Sequence, residues 1–310
     1  MRLGIGTATF FQVTSAGKDP RELIKPVAYA VDQGMSLIDT APLYGFGDAE
    51  RMLKGVIAGR REQLEIVSKT GFEYSAERGY YFDASPGAVT AAVLGSLERM
   101  GLDYLDQVII SYPGYVPRAE LLAGWEALAS LVQKGLIREI GLGNCTVPHL
   151  EAVSGIHAPT VTQLCYSAVA QENGATVIPY CVAHGIRVIT HGPRFHGVLV
   201  DSFTRKTIEN FSAEDCRRNL PPYMEPQLSR NLQVVDGIRL VAQRHGASVA
   251  ATALAFVLRN SQIDTALVGA SALHHVSEAL AALSLELTDE DMADIQAAVG
   301  ENKSSGWSPE

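Results

Sequence analysis

Residues 4–11 read GIGTATFF, and the fold turns on what this stretch lacks. A doubly wound dinucleotide-binding sheet needs G-x-G-x-x-G directly after its first strand, so that the backbone can approach a pyrophosphate. Here the pattern stops after two glycines, and Thr9 stands where the third would be. Outward from this stretch, short β-branched runs alternate with longer amphipathic ones. Strands are predicted over 3–6, 36–40, 64–69, 106–111, 139–143, 161–166, 187–191 and 265–269. They are almost continuously apolar, as strands covered on both faces must be. Helices are predicted over 21–34, 48–58, 86–100, 118–134, 148–153, 172–185, 230–245, 247–259 and 273–283. The one over 86–100 opens on Ser85 as N-cap and Pro86 as first helical residue. Eight strands, each followed by a helix, predict an α/β fold, a single-domain (β/α)8 TIM barrel over residues 1–300, with 301–310 as a flexible C-terminal tail.

The composition fits that reading and excludes others. The 310 residues are 47% hydrophobic and 19% charged, with a formal net charge of −9. An acidic chain with dispersed basic residues argues against nucleic acid or an anionic membrane as partner. No run reaches the ~18 apolar residues that a membrane-spanning helix needs. Cysteines 145, 165, 181 and 216 form no CxxC pair and no metal spacing. A reduced, cytoplasmic protein without a bound metal is expected, as a monomer or homodimer.

In barrels, chemistry gathers at the C-terminal ends of the strands. Those ends are Thr7, Asp39, Lys69, Ser111, Asn144, Gln163 to Tyr166, His191 and Ser271. Two long loops, 71–84 and 200–229, are expected over the mouth, the first rich in aromatics. Asp39 and Lys69 end adjacent strands, and Tyr44 follows in DTAPLYG. Tyrosine is a poor acid at neutral pH, with a reference pKa of ~10. A neighbouring ammonium favours its phenolate, and a carboxylate holds the ammonium in place. The trio is a candidate general acid with its supporting pair; a buried ion pair beside an unrelated tyrosine is the other reading of the same spacing.

DTAPLYGFGDAERMLKGVI, IVSKTG, SLERMGLDYLDQVII, GLIREIGLGN, VTQLCYS, GIRVITHGP and ALVGAS, in that order over residues 3–299, closely resemble the aldo-keto reductase superfamily. The resemblance implies a carbonyl reductase that takes NADP, with NAD as the alternative, and acts on a small-molecule carbonyl substrate. It makes Tyr44 the acid, Lys69 the partner that adjusts its pKa, and Asp39 the partner of the lysine. Asn144 and Gln163 match positions that hold the nicotinamide carboxamide. Gly192 and Pro193 begin a loop beside the pyrophosphate, and Gly269 and Ser271 match the phosphate-binding turn.

Four positions depart from the family pattern. Ser111 stands in place of a catalytic histidine, in the frame Ile110-Ser111-Tyr112-Pro113. Its hydroxyl can donate one hydrogen bond to a carbonyl oxygen but carries no charge. Gly143-Asn144 replaces a Ser-Asn pair, and His191 replaces the aromatic ring that stacks on the nicotinamide. Ala272, Leu273, His274 and His275 occupy the turn where a cation would meet a 2′-phosphate. Three readings stay open: a reductase with altered cofactor preference, a repurposed barrel doing non-redox acid–base chemistry such as elimination or isomerisation, and a dinucleotide-binding sensor without turnover.

Other residues carry weaker signals. His191 and His196 lack a third metal ligand, and His191 is also a candidate proton donor in place of the missing histidine. Arg194 can meet a phosphate or remain a loop charge. His274 and His275 open the last barrel helix, whose N-terminus favours an anion. Arg217 and Arg218 read as surface charge. Tyr112 and Tyr166 can line the pocket, and Trp307 can fold over it.

Overall fold

The computed structural model describes residues 2–12, 19–111, 113–211 and 216–300. Tyr112 and the tail with Trp307 lie outside them. Nine strands form one sheet: β1 (Leu3–Gly6), β2 (Leu37–Asp39), β3 (Glu65–Ser75), β4 (Gly79–Asp83), β5 (Leu105–Ser111), β6 (Ile137–Gly143), β7 (Val161–Cys165), β8 (Arg187–His191) and β9 (Thr265–Gly269). Every strand except β4 joins a closed parallel ring, in which β1 pairs with both β2 and β9 and β2 pairs with β3. The ring continues through β5, β6, β7 and β8 back to β9. The (β/α)8 barrel expected from the alternating runs is the observed fold.

The glycines of the opening stretch have a packing role. Leu37, Val67, Ile109, Val161, Ile189 and Leu267 fill the barrel interior. A Cβ on Gly4 would come within 2.9 Å of the side chains of both Leu37 and Leu267. Gly6 leaves open space beside the Asp39 carboxylate, whose Oδ1 would lie 4.0 Å from such a Cβ. Gly4 thus makes room for the barrel core and Gly6 for the site.

At the opposite end of the barrel, Arg187 on β8 bridges Glu65 on β3 at 2.7 Å and also pairs with Glu139 on β6. Outside the ring, helices cover the strands through a large apolar core that includes Trp125 and Phe256, both almost fully buried. The helix Pro86–Met100 starts as expected, with the Ser85 side chain accepting from the Ala88 amide at 3.4 Å.

Three expectations change. Residues 71–84 are not a plain loop: β3 runs on to Ser75 and turns into β4 as an antiparallel hairpin. Phe72, Tyr74, Tyr80 and Phe82 give this segment a strand's two-residue period and β-favouring side chains. The region 200–229 contains the short helix Arg205–Glu209 and two 3-10 turns, Cys216–Asn219 and Pro221–Tyr223. The helix expected over 172–185 splits into Glu172–Ala175 and Val177–Ala183, with Thr176 at φ −125, ψ −76 between Gly174 and Pro179. Among the described residues, no helix is long and apolar enough to cross a membrane.

Candidate active site

Adjacent parallel strands bring Asp39 and Lys69 together, because β2 and β3 pair with Asp39 opposite Val67. Lys69 Nζ donates to Asp39 Oδ2 and, at 3.2 Å, to the Thr40 carbonyl. Asp39 is 3% exposed, so its charge needs partners. Gln163 supplies one from β7, its Nε2 donating to Asp39 Oδ2 at 2.7 Å. Tyr44 opens a tight turn in which Gly45, Phe46 and Gly47 have φ of 60°, 52° and 88°. Three successive left-handed residues swing the chain back, and two of them are glycines, which adopt that conformation without a Cβ penalty. The Tyr44 ring then lies beside Lys69, with Nζ 5.1 Å from its centroid. The sequence-derived trio is therefore one cluster in the folded chain.

The electrostatics of the trio differ from the expected lowering of Tyr44. Burial, followed by the Asp39 carboxylate, raises the Tyr44 phenol well above its ordinary value. Tyr44 therefore keeps its proton at neutral pH, the state that a general acid needs before reaction. Burial lowers Lys69, while Asp39 and then Glu50 oppose that shift. The ammonium faces the ring, a position that would favour negative charge on the phenol oxygen.

Ser111 ends β5 and is 8% exposed. Its hydroxyl makes no hydrogen bond among the described residues. Next to it, Asn144 has a left-handed backbone with φ 49°, and its amide N–H donates to the Gln163 carbonyl at 2.8 Å. Asn144 Oδ1 accepts from the Cys165 amide at 3.2 Å and lies 3.0 Å from His191 Nε2. That contact assigns the His191 proton to Nε2, since a side-chain carbonyl oxygen only accepts. Burial, followed by the charges of Lys69 and His196, pushes His191 down to about 3. His191 is thus neutral at ordinary pH. Burial and the facing Lys69 ammonium disfavour an imidazolium there, and His191 contacts Asn144 instead.

These bonds bear directly on whether the site suits a carboxamide. Asn144 uses its oxygen and Gln163 uses its nitrogen, which leaves the Asn144 Nδ2 donor and the Gln163 Oε1 acceptor for an outside group. One donor beside one acceptor complements a primary carboxamide. The residues present fit the nicotinamide end of the cofactor.

The phosphate end is less well equipped. Gly192 turns the chain at φ 73°, and Pro193 is buried after it. The Arg194 guanidinium points inward and donates to the Gly269 carbonyl. A Cβ on Gly269 would meet only Thr9 Cγ2, at 3.7 Å, so the turn presents open backbone. The Ser271 amide donates to His275 Nδ1 at 3.3 Å, which commits one amide of the turn. Residues 270–278 carry no Lys or Arg. Arg194, His275 and Glu278 line a cavity of ≈ 10 Å³, room for about one water.

Several candidates from the sequence stay outside the cluster. The Arg217 guanidinium lies 4.1 Å above the Phe211 ring, and Arg218 donates to the Phe211 carbonyl at 2.7 Å, so both organise their own loop. Tyr166 is 8% exposed and stacks near Phe256, in the outer core. Among the described residues, no group of three or more His, Cys, Asp or Glu is placed to hold a metal. The bond from Gln163 to Asp39 could not be read from sequence, because it joins positions 124 residues apart.

A family model described as "Aldo/keto reductase family" matches residues 2–299. The aldo-keto reductase YhdN of Bacillus subtilis is 27% identical, the alignment covering 100% of this chain and 93% of the relative. The NADH-specific methylglyoxal reductase of Escherichia coli is 28% identical over 94% of this chain and 92% of its own. Among solved structures, a glycerol dehydrogenase from Gluconobacter oxydans superposes with a TM-score of 0.86 at 25% identity, covering 100% of this chain and 94% of that one.

Proposed function

The chain belongs to the aldo/keto reductase family, and from that premise we propose that it is an NAD(P)H-dependent oxidoreductase. It reduces an aldehyde or ketone, or oxidises the corresponding alcohol, with Tyr44 as the general acid. NADP is the expected cofactor and NAD the alternative; the NADH-specific reductase of Escherichia coli is consistent with the latter. The observation that carries the reading is the Asp39–Lys69–Gln163 network beside a protonated Tyr44.

Asn144 Nδ2 and Gln163 Oε1 would hold the carboxamide, and Gly192, Pro193, Gly269 and Ser271 would lie beside the phosphates. The nicotinamide, when bound, supplies the hydride. Tyr44 gives its proton to the carbonyl oxygen as that oxygen gains charge, and Lys69 stabilises the phenolate left behind. Asp39 fixes Lys69, and Gln163 fixes Asp39. The Ser111 hydroxyl donates a second hydrogen bond to the same carbonyl oxygen.

The phosphate turn without Lys or Arg favours a second reading, in which Tyr44 and Lys69 serve non-redox elimination or isomerisation; a barrel that senses a dinucleotide without turnover would bind the cofactor but reduce nothing. Fluorescence titration with NADPH and with NADH separates these. Saturable binding of at least one below millimolar concentration, with turnover of a carbonyl compound, supports the reductase. Absence of binding by both removes it.

A further inference from the structure

Among the described residues, six aromatic rings form a continuous series, four of them on the hairpin of β3 and β4. Phe72 pairs with Phe82 and Tyr74 with Tyr80, so these four side chains share one face. Ring centroids are 4.8 Å apart for Phe72 and Phe82, 5.7 Å for Phe72 and Tyr80, and 5.1 Å for Tyr74 and Tyr80. Phe46 extends the series beyond Tyr74 at 4.7 Å, and Tyr115 stacks on Phe82 at 4.6 Å and 11°. Phe46 follows Tyr44 by two residues, and Tyr115 follows Ser111 by four. Phe46 and Tyr115 therefore tie the series to the two loops that follow Asp39 and Ser111.

The face points towards the barrel mouth. Below the hairpin, Val67 packs in the barrel interior and Ser68 donates outward to Glu50 at 3.1 Å, so odd positions on β3 face the axis. Gly71, with φ 94°, breaks that alternation. Beyond it the odd-numbered Glu73 lies within electrostatic reach of Arg99, which pairs with Glu50 among the outer helices. Asp83, on the same face as Glu73, accepts from the Ser85 amide at 2.9 Å, at the start of an outer helix. The odd face has turned outward, which leaves Phe72, Tyr74, Tyr80 and Phe82 on the mouth side.

Tyr74, Tyr80 and Tyr115 are 42%, 50% and 46% exposed, more than a hairpin glued down by its own aromatics requires. The six side chains of the series bear no charge. We propose that this face is the stacking wall of the substrate pocket, and that the substrates are uncharged aryl aldehydes or ketones. The proposal rests on the reductase reading. A flat ring gains offset-stacking contacts that a puckered ring of equal size does not.

The test compares benzaldehyde with cyclohexanecarboxaldehyde in the wild-type protein and in the Tyr74→Ala and Tyr115→Ala variants. Both tyrosines are exposed, so neither change should unfold the chain. Wild-type kcat/KM should favour benzaldehyde by about tenfold. Each variant should lose about three- to tenfold for benzaldehyde, mostly in KM, and less than about twofold for the cyclohexyl compound. Equal kcat/KM for the two aldehydes, or equal losses on substitution, overturns the proposal. If neither is reduced, the NADPH and NADH titrations judge the reductase reading separately, and saturation-transfer NMR of both aldehydes judges the wall by itself. Preferential binding of benzaldehyde that falls in the variants supports it, and indifference overturns it.

Discussion

Ser111 is where the residue scale decides most. A buried hydroxyl at the end of β5 offers one short neutral donor, whereas a histidine would reach further and can carry charge. Removing an oxyanion donor typically costs roughly 10² to 10³ in rate. Ser111→His should therefore raise kcat/KM for a carbonyl substrate by about tenfold or more, measured by cofactor oxidation. An unchanged rate, with the cofactor bound, would mean that carbonyl-oxygen stabilisation comes from elsewhere in the mouth. His191 does not compensate as an acid: burial and the Lys69 charge keep it neutral, and its Nε2 proton is committed to Asn144. Tyr44, Lys69 and Asp39 were legible in the sequence because Asp39 ends a strand, Tyr44 follows it in one short motif, and Lys69 closes the apolar run of the next strand. The rise of the Tyr44 pKa was not, because it depends on burial that only the folded turn creates.

Among the elements, the strands were the easiest to read, since strands covered on both faces leave an almost unbroken apolar run. The β3–β4 hairpin was missed because its alternation of aromatic and polar residues reads equally as an aromatic loop until the pairing partner is known. The helix split at Thr176 was missed for a related reason, as Gly174 and Pro179 are each tolerated in a helix and break it here together. Close strand approach sets a sharper limit at Gly141 on β6. A Cβ there would lie 2.1 Å from the Val161 carbonyl oxygen, and the β6–β7 register pairs these two residues. Neither backbone can withdraw without breaking the ring. Gly141→Ala should lower unfolding free energy by about 3 kcal/mol in urea titrations. Gly155→Ala, where no atom lies within 4 Å and φ is −71°, should change it by less than about 0.5 kcal/mol. Equal effects of the two would contradict the close approach.

At the scale of the whole molecule, the closed ring explains why residues far apart in sequence make one site. Asp39, Ser111 and His191 end barrel strands, Asn144 follows one, Gln163 is central in β7, and Lys69 stands near where β3 leaves the ring for its hairpin; ring closure brings these positions together. The sequence order of motifs was enough to recognise the barrel, because one strand and one helix per repeat leave few other ways to cover both faces. Cross-barrel bonds such as Gln163 to Asp39 follow only from closure and register.

The central claim is that Tyr44 delivers the proton in carbonyl reduction. Single-turnover reduction of an aldehyde by the bound reduced cofactor, in wild type and Tyr44→Phe, tests it directly when paired with cofactor dissociation constants. The rate should fall by about 10² to 10⁴, with cofactor affinity changed by less than about twofold. A Tyr44→Phe variant that binds the cofactor and reduces the aldehyde at the wild-type rate would contradict the claim.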